Sequence, residues 1–207
     1  MKIGVVIGSR ADEGLLLWPV KLLREDGAFE VLETRVTGAS AWDAGAHLTR
    51  FWEANRPDWV LLLGDRFEIL GAAWAAHLLR IPIAHIGGGD VTEGSYDDAM
   101  RDCISRLATL HFVTSPDAEA RLLAWGYRHV HLVGSPGIDY IRHADWIRAR
   151  PYPDPYVVVS YQAETIDDTN EMAQLLCDLP LGQRVIFMMP NPDRGSAAIR
   201  DQIETYC

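Results

Sequence analysis

With 207 residues, 48% of them hydrophobic and 23% charged, the chain has the composition of a globular protein and the length to bury a core, as one domain or two. A formal net charge of −10 argues against a general nucleic-acid binder, which carries a basic face, and no apolar run is long enough to span a bilayer. Cys103, Cys177 and Cys207 have neither metal-site nor disulfide-framework spacing, and residues 1–8 are too short in their apolar part for a secretory signal, so a cytoplasmic protein is expected.

Lys2 to Ile7 reads as a buried strand. It ends at Gly8-Ser9-Arg10-Ala11-Asp12-Glu13-Gly14, and helical spacing follows from Leu15 to Glu25. A strand, a glycine turn and a helix form a phosphate-facing opening, although the full dinucleotide fingerprint is absent and a plain turn explains the same residues. Arg10 beside the turn's amides suits a diphosphate. Phe29 to Thr37 alternates as a second strand, Gly38 to Gly45 is turn-like, and Ala46 to Asn55 is a short helix.

The central stretch is Trp59 to Asp102. A strand from Trp59 to Leu63 stops at Gly64-Asp65-Arg66. A helix, Phe67 to Leu79, is apolar nearly all round, and a second strand, Ile81 to Ile86, opens into Gly87-Gly88-Gly89-Asp90. Acids then accumulate at Glu93, Asp97, Asp98 and Asp102, the last three within a helix expected over Tyr96 to Leu107. Acids in a first helical turn also have a bland reading as partners of the helix dipole. In an open parallel sheet, ligands sit beyond the carboxyl ends of strands, which is where these two strands deliver carboxylates, glycines and His85.

A strand (Leu110 to Thr114), a helix (Pro116 to Trp125) and a strand (His129 to Val133) lead to Gly134-Ser135-Pro136-Gly137. A charged helix, Arg142 to Arg150, precedes the linker Pro151-Tyr152-Pro153-Asp154-Pro155. The rhythm then restarts: strand Tyr156 to Ser160, helix Asp168 to Leu179, strand Arg184 to Met189, helix Ser196 to Tyr206. Alternating strands and helices predict an α/β fold with parallel sheets. Residues 1–150 form one domain, and 151–207, with two strands, the first part of a second.

Several segments together resemble the hydrolysing UDP-N-acetylglucosamine 2-epimerases of bacterial sialic acid synthesis. They are Gly8-Ser9-Arg10-Ala11-Asp12, Gly64 to Leu70, His85 to Gly94, Leu110 to Thr114, Gly134 to Asp139 and Pro190 to Gly195, in the family's order. The resemblance implies a glycosyltransferase-B-like fold, with two Rossmann-type domains and a nucleotide sugar as the ligand. It implies hydrolysis of UDP-N-acetylglucosamine, or a related 2-acetamido sugar nucleotide, to N-acetylmannosamine or its analogue and UDP. UDP is eliminated to a glycal, and water adds with inversion at C2. Such chemistry calls for general acid–base carboxylates. No cofactor or metal is implied, and the sequence offers no metal-ligand set.

Carried over by position, Asp65 and Asp97 are catalytic carboxylates. Ser9, Arg10 and Arg66 face the nucleotide, and His85, His111, Gly134, Ser135, Gln162 and Asn191 line the substrate. A family glutamate two residues after the histidine is Gly87 here, so Asp90 or Glu93 is left to substitute. The family's His-Pro after the linker strand is Gln162-Ala163, and the uridine pocket of the second domain is missing by Cys207. A non-catalytic relative that binds a nucleotide sugar or a partner chain is the competing reading. A glycosyltransferase of the same fold is disfavoured by Gly64 to Glu68 and Gly87 to Gly94. An incomplete sheet leaves an exposed edge, which predicts association into a homo-oligomer; nucleic acid and membrane are not expected partners.

Overall fold

The computed structural model describes residues 1–36, 40–143, 152–163, 170–180, 182–191 and 195–207. The chain divides into two compact units: Met1–Thr92 with Asp97–Asp145, and Glu93–Tyr96 with Trp146–Cys207.

The first unit runs β1 (Lys2–Ile7), α1 (Arg10–Glu25), β2 (Glu30–Arg35), α2 (Ala41–Asn55), β3 (Trp59–Leu63), α3 (Phe67–Leu78), β4 (Ile83–Ile86), α4 (Asp98–Leu107), β5 (Leu110–Val113), α5 (Pro116–Ala124), β6 (Val130–Leu132) and α6 (Pro136–His143). Its strands form a parallel six-stranded sheet in the order β2-β1-β3-β4-β5-β6. Strand order reverses between β1 and β3, so the loops after these two strands splay apart and open the crevice characteristic of doubly wound sheets.

Helix starts are set by caps that periodicity alone understates. Ser9 and Asp12 make a reciprocal capping box, so α1 begins at Arg10 rather than Leu15. Ser40 caps α2, which begins at Ala41 rather than Ala46. The Gly134-to-Gly137 turn is also shorter than expected, because Pro136 opens α6 at a first-turn position where its missing N–H costs nothing. α6 lies close to α1 here: a Cβ on Gly137 would lie 2.8 Å from Leu15 Cδ2, the tip of that side chain. Of the helix expected over Arg142 to Arg150, residues 144–150 lie outside the described set.

The two faces of the sheet are covered unequally. Val6, Val60, Leu62 and Ile83 pack under α2, α3 and α4, with Leu48, Trp52, Ile69 and Ile104 fully buried. Gly71 lets α3 approach α2 so closely that a Cβ would strike the Ala41 carbonyl. On the opposite face Val5, Ile7, Leu61, Leu63 and Ile86 meet Leu16 and Val20 of α1, and α6 packs beside α1.

The second unit holds β7 (Tyr156–Ser160), α7 (Met172–Asp178), β8 (Arg184–Met188) and α8 (Ser196–Tyr206). Its two strands pair in parallel, and Met172, Ile199 and Ile203 form a small core with Phe187. The expected helix from Asp168 begins at Met172 in the described residues, since residues 164–169 lie outside them.

Candidate functional site

The carboxyl ends of β3 and β4 carry a cluster built on one cation. Arg101, on the first turns of α4, is 5% exposed and reaches both strand ends. Its guanidinium pairs with Asp65, immediately after β3, and with Asp98 at the start of its own helix. It also donates to Thr92 Oγ1 at 3.0 Å and to the Asp90 carbonyl at 2.7 Å. Asp98 in turn accepts from the Thr92 amide at 3.1 Å. A planar fork with five donors can hold this many acceptors in fixed directions; a lysine could not. Nearby Asp102 has its carboxyl pushed up, first by burial and then by Asp98.

Asp90 belongs to the same end of the sheet but faces away from Arg101 toward β5. Both its carboxylate oxygens lie 2.8 Å from Thr114 Oγ1, and Ser115 Oγ is 3.5 Å away. It therefore ties the loop after β4 to the loop after β5. Arg121 of α5 donates to the Gly89 carbonyl and pins the glycine turn from the other side. The glycines themselves are close-approach positions. A Cβ on Gly88 would lie 2.7 Å from Ser105 Oγ and 2.9 Å from His85 Nδ1, and one on Gly89 would lie 2.7 Å from the Ala118 carbonyl. Gly87 differs: it has φ 82° and nothing within 4 Å of a built Cβ.

His85 and His111 do not line a cleft. They pair in register on β4 and β5 and are both fully buried. His85 Nε2 lies 2.8 Å from the Gly64 carbonyl, which can only accept, so Nε2 carries the proton and Nδ1 accepts from Ser105 Oγ at 3.1 Å. Burial lowers its pKa from 6.5 to about 4. The ring is thereby a neutral strut that holds the turn before Asp65 against α4. His111 is also brought to about 4 by burial. Neither of its ring nitrogens finds a hydrogen bond among the described residues, and the ring packs at 4.6 Å on Tyr127.

The turn after β1 is largely self-satisfied. Asp12 Oδ2 accepts from the Gly8 and Ser9 amides at 3.0 and 2.7 Å, and Ser9 Oγ accepts from the Asp12 amide. The amides expected to face phosphate are thus taken by a carboxylate of the same helix, and Ser9 acts as a cap. Burial raises the Asp12 pKa while these amides and Arg66 oppose the shift. Arg10 is exposed at the start of α1. Arg66 sits between Asp65 and Glu68, pairing with the buried Glu68 at 3.3 Å.

Asp97 stands at the N-cap of α4, half-buried, without capping the helix through its side chain. Gly134 and Ser135 follow β6, three strand spacings or about 14 Å from β3; they do not join the Arg101 cluster. In the second unit Glu93 is exposed, and Gln162 Oε1 accepts from the Asn191 amide at 3.0 Å, linking the segments after β7 and β8. Arg101, Asp98, Thr114 and Arg121 were not among the expected site residues. The spacing of Arg101, three residues after Asp98 and four after Asp97 on one helix, was the available signal. Among the described residues no group of three or more His, Cys, Asp or Glu is placed to hold a metal ion, and no helix is long and apolar enough to cross a membrane.

A profile of the UDP-N-acetylglucosamine 2-epimerase family matches residues 36–206. The chain is 33% identical over 172 residues to a UDP-N,N'-diacetylbacillosamine 2-epimerase (hydrolyzing) of Legionella pneumophila, covering 76% of this chain and 45% of that protein. It is 29% identical over 183 residues to a UDP-N-acetylglucosamine 2-epimerase of Neisseria meningitidis serogroup B, covering 82% and 48%. The chain thus spans about half the length of these curated relatives. Among solved structures, S. aureus MnaA in a UDP co-structure superposes with a TM-score of 0.82 at 16% identity, over 98% of this chain and 66% of that one. N. meningitidis UDP-GlcNAc 2-epimerase bound to UDP-GlcNAc gives 0.78 at 16% identity, over 100% and 71%. The fold is accordingly α/β and glycosyltransferase-B-like. With a family profile across most of its length, the chain belongs to the UDP-N-acetylglucosamine 2-epimerase family.

Proposed function

We propose that this chain contributes to a hydrolysing epimerase that converts a UDP-2-acetamido sugar, UDP-N-acetylglucosamine or a diacetamido analogue, to the 2-epimeric free sugar and UDP. The observation that carries the reading is the Arg101 cluster, which fixes Asp65 beyond β3 with its side chain 23% exposed, at the edge where a doubly wound sheet binds ligands. An Asp65 carboxylate oriented by a buried guanidinium is a preorganised group for handling a proton or a developing charge on a bound sugar. Asp97 is the second carboxylate of this edge, at the positive end of α4. Asp90 is engaged by Thr114 and Ser115, so its carboxylate is already committed at the position left open by Gly87. Arg10, exposed at the start of α1, is the diphosphate contact in this reading.

The test is proton NMR of the purified chain with UDP-N-acetylglucosamine, and separately with the diacetamido nucleotide, in deuterated water. Release of UDP with deuterium at C2 of the epimeric sugar is expected, and Asp65→Asn should abolish it. Binding of either nucleotide without turnover would replace this reading with a non-catalytic nucleotide-sugar binder, which Gly87 in place of a carboxylate favours. Gly87→Glu separates the two cases. Open space receives the new side chain at a backbone cost of about 1–2 kcal/mol, and a gain in turnover would show that the remaining constellation is competent.

A further inference from the structure

Helix α4 reaches the turn after β3 by two routes. The first is Arg101, whose guanidinium pairs with the Asp65 carboxylate. The second leaves the helix four residues later, on the same face, at Ser105. Ser105 Oγ lies 3.1 Å from His85 Nδ1, and His85 Nε2 lies 2.8 Å from the Gly64 carbonyl. That carbonyl belongs to the planar peptide that joins Gly64 to Asp65, so whatever holds it also fixes the backbone from which the Asp65 side chain springs. The preceding peptide is tied as well: the Gly64 amide donates to the Ile86 carbonyl at 3.0 Å. Gly64 itself has φ 79°, which glycine adopts without strain.

The directions along this route are forced. A peptide carbonyl only accepts, so Nε2 carries the ring proton, Nδ1 keeps a lone pair, and the Ser105 hydroxyl must donate to it. A serine inside a helix ordinarily turns its hydroxyl to water or to the carbonyl four residues back. Ser105 has no exposed surface, and its hydroxyl meets the ring instead. Packing alone would be served by alanine, so the hydroxyl is there for the bond. The loop after β4 lies directly on this contact: a Cβ on Gly88 would stand 2.7 Å from Ser105 Oγ and 2.9 Å from His85 Nδ1.

We infer that Ser105 and His85 are positioning residues for Asp65, a strut of two hydrogen bonds that sets the Gly64-Asp65 peptide while Arg101 sets the carboxylate. The strut ends on a peptide carbonyl, so it orients Asp65 and carries no proton to the sugar. Its role in turnover rests on the reading of Asp65 as the carboxylate that acts on the bound sugar; its existence does not. Holding the backbone and the side chain of one residue separately confines the carboxylate to one direction, and reacting groups tolerate little misplacement.

The experiment compares the full chain with Ser105→Ala, which removes the donor, and Ser105→Thr, which keeps it. Circular dichroism checks that both variants are folded. In the unsubstituted chain, nitrogen-15 spectra of the His85 ring should show a protonated Nε2 and a hydrogen-bonded, proton-free Nδ1. Ser105→Ala should move the Nδ1 resonance toward that of a free ring nitrogen. It should also shift the Gly64 carbonyl carbon and the Asp65 amide, read together in an HNCO spectrum. With the UDP-2-acetamido sugar, kcat should fall about tenfold at unchanged KM, since binding contacts remain and only the placement of Asp65 is lost. Ser105→Thr should keep both the spectra and the rate. The proposal is overturned if the His85 proton sits on Nδ1, if Ser105→Ala leaves the Gly64 and Asp65 signals in place or turns over at the full rate, or if folded Ser105→Thr behaves as Ser105→Ala does. Should the unsubstituted chain bind the nucleotide sugar without turning it over, the epimerase reading fails, and the spectra by themselves uphold or overturn the strut.

Discussion

Replacing Arg101 by Met removes a buried cation while keeping most of the side chain's length and apolar contact. Arg101 is 6% exposed in its side chain, and its two carboxylate partners, Asp65 and Asp98, are 23% and 31% exposed. Removing one member of a buried ion pair typically costs about 3–5 kcal/mol, because the remaining charge has lost its compensation. Here both stranded carboxylates retain some water, so the lower end, about 3 kcal/mol, is expected. The lost bonds to Thr92 and the Asp90 carbonyl add to the local loosening rather than to a separate sum. For a chain of this size each kcal/mol moves the midpoint by about 2–4 °C, so Arg101→Met should melt roughly 6–12 °C lower. Hydrogen exchange should rise across 88–98, where Arg101 ties the loop down. Asp65→Asn leaves an amide oxygen for Arg101 and should cost about 1 kcal/mol. Thermal unfolding of the two single variants and their combination, closed into a double-mutant cycle, is the assay. A coupling below about 0.5 kcal/mol, with unchanged exchange in 88–98, would refute the claim that Arg101 organises this edge.

Three further outcomes are expected. His85 and His111 titrate near 4 when folded against an ordinary value of 6.5, so the unfolded chain binds protons that the folded one refuses. Their stabilising contribution is complete above about pH 6.5 and declines as pH falls toward 4, by about 1.4 kcal/mol per pH unit for each histidine; urea titrations at pH 7.5 and 5.0 measure it. His111→Phe keeps the ring contact with Tyr127 and removes two unpartnered buried nitrogens, so it should be neutral or stabilising by up to about 2 kcal/mol and should flatten the acid slope; a destabilised variant in thermal melts would contradict this. Gly89→Ala should cost at least about 2 kcal/mol through its collision with the Ala118 carbonyl at φ 80°, lowering the urea midpoint, whereas Gly87→Ala meets no atom and should cost only its backbone strain.

Periodicity and punctuation placed most of the elements. β3 and β7 run Trp59 to Leu63 and Tyr156 to Ser160 as read, and α3 begins at Phe67 as read. Local patterns suffice for β3, apolar throughout, because burial on both faces leaves a continuous signature, whereas β7, with Val158 exposed, is marked by its run of valines. Helix starts were harder to read because a cap is a side-chain contact across three residues, as at Ser9 and Ser40. α6 was hidden because Pro-Gly reads as a turn until its packing against Leu15 is known.

The acids of the central stretch could be read from the sequence, and so could the strand ends at which Asp65 and Asp90 stand. Their division of labour could not. Whether Asp90 meets Arg101 or Thr114, and whether His85 faces ligand or core, depends on strand register and on helices distant in sequence. The chain's own order of residues determined the α/β alternation, the strand ends and the kinds of groups gathered there, because hydrophobic period and turn chemistry act over a few residues. Only the tertiary structure decided that Arg101 is the hub and that His85 is a strut of the core, because hydrogen bonds join Arg101 to Asp65 and His85 to Gly64, residues that the sequence keeps 36 and 21 positions apart.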